Sequence, residues 1–305
     1  MKIVAVQGEM PATAGILVYW SLSGVIDLQD LTEVLEAEGI DPKYHPSGPS
    51  VEVAVHRAAE SCADARRSGS RTLVRPLRRK GAWDIVQESV VPNEQKGESL
   101  EYQALVRVSI EETDDKSRPK EVAIRYYEES HKDLSERIHT AFQLYSELMT
   151  ATDTSVWLTR LLGSYVAGIP LRSRGGIYFI PRDQVSDWAR IVRCVRAVSD
   201  HILFEIPALQ TDEAVDAILT AFRQEITSRL SEMEAYLTGD AISTRGLNAW
   251  RVVLEQIREK TRHYAEILGV ALPDLEERST TIDGMIAVAK IRRKKEQGSD
   301  DQKAH

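Results

Sequence analysis

The apolar residues of this chain change period, and that change limits what it can fold into. From Arg66 to Tyr126 they recur at every second position; from His131 onward they recur every three or four. A period of two marks half-buried strands, and a period of three to four marks helices packed on one face. The strand signal is cleanest over Leu100–Ile110. Tyr102, Ala104, Val106, Val108 and Ile110 line one face; Glu101, Gln103, Arg107 and Ser109 line the other, with Leu105 the exception. Val122, Ile124 and Tyr126 repeat the pattern after the polar loop Glu111–Lys120. Ala82–Val91 precedes it, and Arg71–Arg79 is strand-like but carries Pro76, which suits an edge. Several strands with short polar connections predict an antiparallel meander with one wet face.

Before the meander, Ala14–Leu22 reads as a strand. Asp27 caps a helix carrying Leu28, Leu31, Val34 and Leu35 and closed by Gly39. After the stiff loop Asp41–Pro49, Ser50 caps a second helix with Val51, Val55, Ala58, Ala59 and Cys62 on one face. After the meander come a helix over 131–149 and one capped by Asp153 or Thr154 and stopped by Gly168 and Pro170. The stretch Leu171–Pro181 then packs turn chemistry (Gly175-Gly176) against a short strand, Ile177–Ile180. A helix with Trp188 and a second short strand, His201–Ile206 closed by Pro207, complete a β-α-β unit, parallel if the strands are neighbours.

The last third is helical. Ile218, Phe222, Ile226, Leu230, Met233 and Leu237 step by three and four, and Trp250, Val253, Ile257, Tyr264 and Leu268 step by three, four, seven and four. With Gly239-Asp240 between them, these describe a coiled-coil-like hairpin. A shorter helix through Ile282, Met285, Ile286 and Ala289 follows, and 293–305 reads as a disordered tail. The expected fold class is therefore α+β. The expected domains are an α+β unit over 1–130, a helical unit with the β-α-β element over 131–209, and the helical hairpin over 210–292.

Composition excludes some classes. Net charge is -8 and the isoelectric point about 5.5, which argues against a generally basic nucleic-acid binder but leaves room for a local basic face. The two cysteines, Cys62 and Cys194, are far apart and in helix-like segments, so buried thiols are expected. The apolar run near the start is only Ile3–Val6, and no window approaches the ~18 apolar residues of a membrane span, so a cytoplasmic protein with no membrane partner is expected.

Motifs for catalysis are not legible. The chain holds no Walker loop, no Gly-x-Gly-x-x-Gly, no Gly-x-Ser-x-Gly, no His-Glu-x-x-His and no Cys-x-x-Cys. His131 and His139 beside Glu128 and Glu129 are a solvated helix start before they are a metal site. No catalytic, cofactor-binding or metal-ligating residue is assigned, no cofactor is expected, and the chain is expected not to be an enzyme.

The basic residues carry more. Seven lie between Arg66 and Lys80 with no acid among them. Arg71, Arg75 and Arg79, spaced by four, would share one face of a strand and track phosphates. Arginines on a proline-bearing edge also discourage edge-to-edge association. Arg172 and Arg174 form a second basic point at the Gly-Gly turn.

Two segments carry a resemblance. Tyr19-Trp20-Ser21-Leu22-Ser23-Gly24, then Gly39-Ile40-Asp41, a proline-rich loop and Ala54-Val55-His56-Arg57-Ala58, form the first; Leu171–Pro181, matching Leu-Arg-x-x-Gly-Gly-x-Tyr-Phe-x-Pro, is the second. Together they resemble an uncharacterised family of actinobacterial phage and plasmid proteins. The resemblance implies a cytoplasmic protein in an infected or plasmid-bearing cell and brings no activity or catalytic residue. The expected function is that of a non-enzymatic interaction or scaffolding protein. Its association with itself or a protein partner is expected through Ile218, Phe222, Ile226, Leu230, Trp250, Val253, Ile257 and Tyr264. The alternative is a nucleic-acid-binding accessory protein using Arg71, Arg75, Arg79, Arg172 and Arg174.

Overall fold

The computed structural model describes residues 13–63, 70–93, 97–111, 121–172, 175–239 and 242–303. In chain order the elements are β1 (Thr13–Ser21), β2 (Val25–Asp27), α1 (Leu28–Ala37), α2 (Val51–Cys62), β3 (Ser70–Pro76), β4 (Ala82–Asn93), β5 (Gly97–Glu111), β6 (Glu121–Tyr126), α3 (Lys132–Glu147), β7 (Leu148–Thr150), α4 (Ala151–Ser164), β8 (Ile169–Pro170), β9 (Tyr178–Pro181), α5 (Val185–Val198), β10 (Ile202–Leu209), α6 (Asp212–Thr238), α7 (Thr244–Leu268) and α8 (Pro273–Lys303). The fold is α+β, and among the described residues every strand pair is antiparallel.

The chain divides into two compact units, and the division differs from the expected one. Met1–Ser21, Leu158–Arg193 and His201–His305 make the first; Leu22–Trp157 with Cys194–Asp200 make the second. The reason is β1. Its run Gly15-Ile16-Leu17-Val18-Tyr19-Trp20 is apolar at consecutive positions, which suits a strand with neighbours on both sides. It pairs with β10 on one side and β9 on the other, so the sheet order is β10-β1-β9-β8. The β-α-β unit is therefore split. β9 and β10 run parallel to each other, but β1 lies between them.

The two segments that carry the resemblance meet in this sheet. Val18 lies opposite Tyr178, Leu17 opposite Phe179, and the Trp20 and Tyr178 rings stack 5.1 Å apart. The Gly-Gly turn is shaped by Arg172, whose Nε donates to the Gly175 carbonyl. Leu171 N–H closes the loop on Ile177 O at 3.0 Å. Gly175 and Gly176 take φ of +66° and +94°, a region that L side chains rarely enter.

Three helices complete the first unit, not two. α8 runs from Pro273 to Lys303, through the region read as a short helix and tail. Its Leu275, Ile282, Ile286 and Ala289 join Ile218, Phe222, Ile226 and Leu230 of α6 and Leu254, Ile257 and Tyr264 of α7 in one buried cluster. Tyr264 stacks on Phe222 with ring centroids 4.4 Å apart and meets Phe179 edge-on at 6.2 Å. One turn beneath, Lys260 Nζ donates to Gly168 O at 2.9 Å and to Glu225 Oε1 at 3.2 Å, while Tyr264 OH donates to Ala167 O at 2.9 Å. Lys260 and Tyr264, four residues apart on one face of α7, thus hold a loop in which Ala167 takes φ +50°.

In the second unit the meander has the expected order, β3-β4-β5-β6. Val55, Ala58, Ala59 and Cys62 of α2 and Ile138 of α3 pack with Trp83, Ile85, Val106, Val108 and Ile110. Leu105 is explained by a bulge. Ile85 pairs with Val106 but Val86 with Ala104, which leaves Leu105 as an extra residue. Leu105 and Val106 are both buried, and Tyr102 is carried to the opposite, exposed face. The start of α4 is a reciprocal cap: Thr150 N–H donates to Asp153 Oδ2 at 2.9 Å and Asp153 N–H to Thr150 Oγ1 at 3.3 Å. Arg57 binds both oxygens of that carboxylate, at 2.7 and 3.0 Å. Burial pushes the Asp153 carboxyl up, but the bonds from Arg57 and Thr150 together hold it below its ordinary range.

Candidate functional site

Each unit offers one surface with chemistry to explain. In the second it is the outer face of the meander. Val74 of β3 and Trp83 and Ile85 of β4 turn toward the helices. The alternation then sends Arg71 and Arg75, and Asp84 and Glu88 opposite, to the other side. Arg71 Nε binds Glu88, and Arg75 Nη2 approaches the same carboxylate at 3.9 Å while its guanidinium lies 4.1 Å over the Tyr102 ring. Arg107 takes both oxygens of Asp84 at 2.9 and 3.0 Å, and Tyr127 OH donates to one of them at 3.3 Å. Asp84 and Glu88 are therefore buried on a face where water is expected, walled in by arginines and tyrosines. Hydrogen bonds from Arg71 first, and Tyr102 second, hold the Glu88 carboxyl below its usual range.

That geometry changes the reading of the arginine row. Arg71 and Arg75 share a face as expected, but both are engaged by Glu88. Arg79 does not belong to the row. β3 ends at Pro76, and Arg79 lies with Arg78 and Lys80 in the turn before Gly81, all three exposed. Arg172 is exposed but tied to the Gly-Gly turn, and Arg174 lies outside the described residues.

The residues expected to form an oligomer seam are covered by the chain itself. Ile218, Phe222, Ile226, Leu230, Ile257 and Tyr264 are buried in the cluster shared with α8, and Trp250 and Val253 pack half-buried against it. The third helix takes up the apolar faces that a two-helix hairpin would have left open.

The surface that sequence reasoning missed is on the first unit. β10 is the outermost strand of its sheet, paired among the described residues with β1. Ile202 is 52%, Phe204 37% and Ile206 48% exposed, and Leu209 37%. The first three share one face, because alternate residues of a strand do. Leu203, between them, is buried on the other. Tyr19 stacks on Phe204 with centroids 4.6 Å apart and extends the patch onto β1. The same face carries Leu17 opposite Phe179 on β1 and β9, where the helical core covers it. That cover reaches Ala208 of β10 but leaves Ile202, Phe204 and Ile206 exposed. The strand was expected to close before Pro207 yet runs through it to Leu209. A proline inside a strand was the available signal, since it is tolerated at an edge.

Elsewhere charged side chains pair with one another, as Arg278 does with Glu234 at 2.7 Å and Arg258 with Asp283 at 3.3 Å. His263 Nε2 lies 2.8 Å from Asp183 Oδ2. Among the described residues, no group of three or more His, Cys, Asp or Glu stands together as a metal site. Both cysteines are buried and neither forms a disulfide. No helix there is long and apolar enough to cross a membrane.

These features define a two-unit α+β chain whose exposed chemistry is a salt-bridged sheet face and an apolar sheet edge. The chain belongs to a family of unknown function, DUF6744, whose profile matches residues 14–295, from within β1 to within α8. No curated protein and no solved structure matches it.

Proposed function

We propose that this is a non-enzymatic interaction protein that docks a partner on the exposed apolar row of β10. The observation that carries the reading is the row Ile202, Phe204 and Ile206, exposed among the described residues on the outermost described strand of its sheet. Exposed contiguous apolar side chains of this kind mark surfaces that bind a partner. The resemblance carried by Tyr19–Gly24 and Leu171–Pro181 supports a setting in the cytoplasm of a phage- or plasmid-bearing actinobacterial cell.

The test is an array of eight-residue peptides with apolar residues at alternate positions, probed with the full chain. Binding is expected for some members, with slowed hydrogen exchange at amides 202–206 and loss of binding in Ile206→Lys. An array with no binder, or binding that Ile206→Lys leaves intact, overturns the reading.

A second reading rests on a different surface. Arg78, Arg79 and Lys80 are adjacent and exposed at the β3–β4 turn, and no ion pair engages them among the described residues. Tyr102 and Tyr127 present exposed rings on the neighbouring face. This pattern suits contact with phosphates and stacked bases. It predicts binding to single-stranded DNA that weakens steeply between low and moderate salt and falls at least about tenfold in Arg78→Gln/Arg79→Gln/Lys80→Gln. Absence of binding at low salt removes it.

A further inference from the structure

We propose that two copies of the chain pair through the outer edge of β6, so that two four-stranded meanders join into one sheet of eight strands. This surface lies in the second unit and is independent of the row on β10.

β6 is the last strand of the meander, and among the described residues it pairs only with β5. Two backbone bonds fix which of its groups face outward. Tyr127 N–H donates to Leu105 O at 3.0 Å, whereas Ile110 N–H turns the other way, to Gly81 O just before β4, at 2.8 Å. Bonded and non-bonded pairs alternate along an antiparallel ladder. Ile110 lies opposite Val122 and Val108 opposite Ile124. The backbone groups of Glu121, Ala123 and Arg125 therefore face β5, and those of Val122 and Ile124 face away from the sheet. The side chains of Val122 and Ile124 pack toward the helices. They stand beside a groove of ≈ 470 Å³ that they share with Ser135, Glu136, His139 and Thr140 of α3.

The strand is complementary to itself. From Glu121 to Arg125 it reads acid, apolar, alanine, apolar, base. A two-fold axis through Ala123 sets Val122 opposite the partner's Ile124 and Ile124 opposite the partner's Val122. Each of these pairs exchanges both of its outward backbone bonds. On the outer face the same axis sets Glu121 against the partner's Arg125 twice, with the small Ala123 side chains meeting at the centre. Axes through the other residues of this run do worse. Centred on Glu121 or Arg125, two like charges meet, which is destabilising. Centred on Val122 or Ile124, Glu121 meets Ala123 or Tyr127 in place of an arginine.

Within one chain Glu121 is poorly matched. It lies directly opposite Glu111, a like-charge pair, and no ion pair engages it among the described residues. Arg125 Nη2 donates instead to Glu111 Oε1 at 3.1 Å, and its side chain is 74% exposed. A guanidinium has further N–H donors, and pairing across the axis turns them to the partner's Glu121. Charge on an edge strand ordinarily discourages association. Here the two signs are placed so that they admit one register.

Sedimentation velocity and hydrogen exchange on the full chain test the pairing. So short a ladder suits micromolar affinity, so the concentration series extends to about 100 μM. Wild type is expected to dimerise over that series. The amides of Val122 and Ile124 are expected to gain protection with concentration, while those of Ala123 and Arg125, bonded to β5, stay protected throughout. Glu121→Arg sets an arginine against the partner's Arg125 twice and is expected to raise the Kd at least about tenfold. The same change places opposite charges at 111 and 121, so the melting temperature is expected not to fall. Glu121→Arg/Arg125→Glu reverses both signs and is expected to return the Kd to within about threefold of wild type. A wild-type monomer at the top of the series overturns the proposal. So does a dimer that Glu121→Arg leaves intact, that the double variant fails to restore, or that protects neither Val122 nor Ile124.

Discussion

Replacing Gly15 with alanine is expected to cost about 3 kcal/mol or more and to separate β1 from β9. Gly15 lies in the central strand of the first sheet, opposite Pro181 on one side and Ala208 on the other. A Cβ there would stand 2.0 Å from the Ile180 carbonyl oxygen and 2.9 Å from two carbons of the Phe179 ring. The carbonyl belongs to the paired strand and cannot swing aside as a side chain would. The ring is fully buried against Tyr264. Relief therefore requires β1 and β9 to move apart. Gly284→Ala is the control. It lies inside α8, a Cβ there would meet nothing within 4 Å, and alanine is the better helix former. That substitution is expected to stabilise by about 0.5–1 kcal/mol. Urea unfolding of the two variants checks both signs, and equal midpoints would contradict the strand packing described.

The second large effect is expected at Glu225. Glu225→Gln should lose about 3 kcal/mol, while Lys260→Met should lose less. The asymmetry follows from what each change leaves behind. Without the Glu225 charge, the Lys260 ammonium is buried with the Gly168 carbonyl as its other partner. Without Lys260, Glu225 keeps Arg229 at 3.4 Å. Replacing both, as Glu225→Leu/Lys260→Met, removes the desolvation problem and should recover most of the loss. The pH dependence has a definite sign. Burial lowers the Lys260 pKa, with Glu225 opposing it. Removing Glu225 lowers it further, so between that folded-state value and about 10.4 the unfolded chain binds more protons. The stability of Glu225→Gln relative to wild type should therefore rise with pH across the alkaline window. A flat difference would show that the ammonium is better hydrated than its place under Tyr264 implies.

Much of the local structure was legible because its causes are local. Asp27, Ser50, Thr211 and Ser243 each cap a helix with their own side-chain oxygen, as their positions before apolar runs predict. The meander was readable from its period of two. The failures have long-range causes. β1 was recognisable as a strand, but nothing near it names its partners, which lie at Tyr178–Pro181 and Ile202–Leu209. Alternation also hides a bulge. Leu105 looked like one misfit in a regular face, whereas one extra residue reverses the face of everything before it, Tyr102 included. The seam of α6 and α7 looked open because α8 spreads Leu275, Ile282 and Ile286 among charged and hydroxylated neighbours, which dilutes its period. Of the candidate surfaces, the arginine pair at Arg71 and Arg75 could be placed from spacing. Their capture by Glu88 could not, since it depends on strand register. The exposed row on β10 could not be told from a buried one, because exposure depends on where the helical cover ends.

The placement of β1 has a consequence for synthesis. Its partners are translated only after the whole meander and four of the helices have left the ribosome. At about 5–20 residues per second, the run from Ser21 to Leu209 takes on the order of ten to forty seconds. Until Pro181 is made a strand apolar on both faces has neither of these neighbours, and until Leu209 it lacks one, while Leu22–Trp157 already holds nearly everything its own unit needs. The nascent chain therefore matures from the middle outward. β1 is made before its partners and is among the last of the described strands to be secured, and that delay makes it the strand most in need of a chaperone.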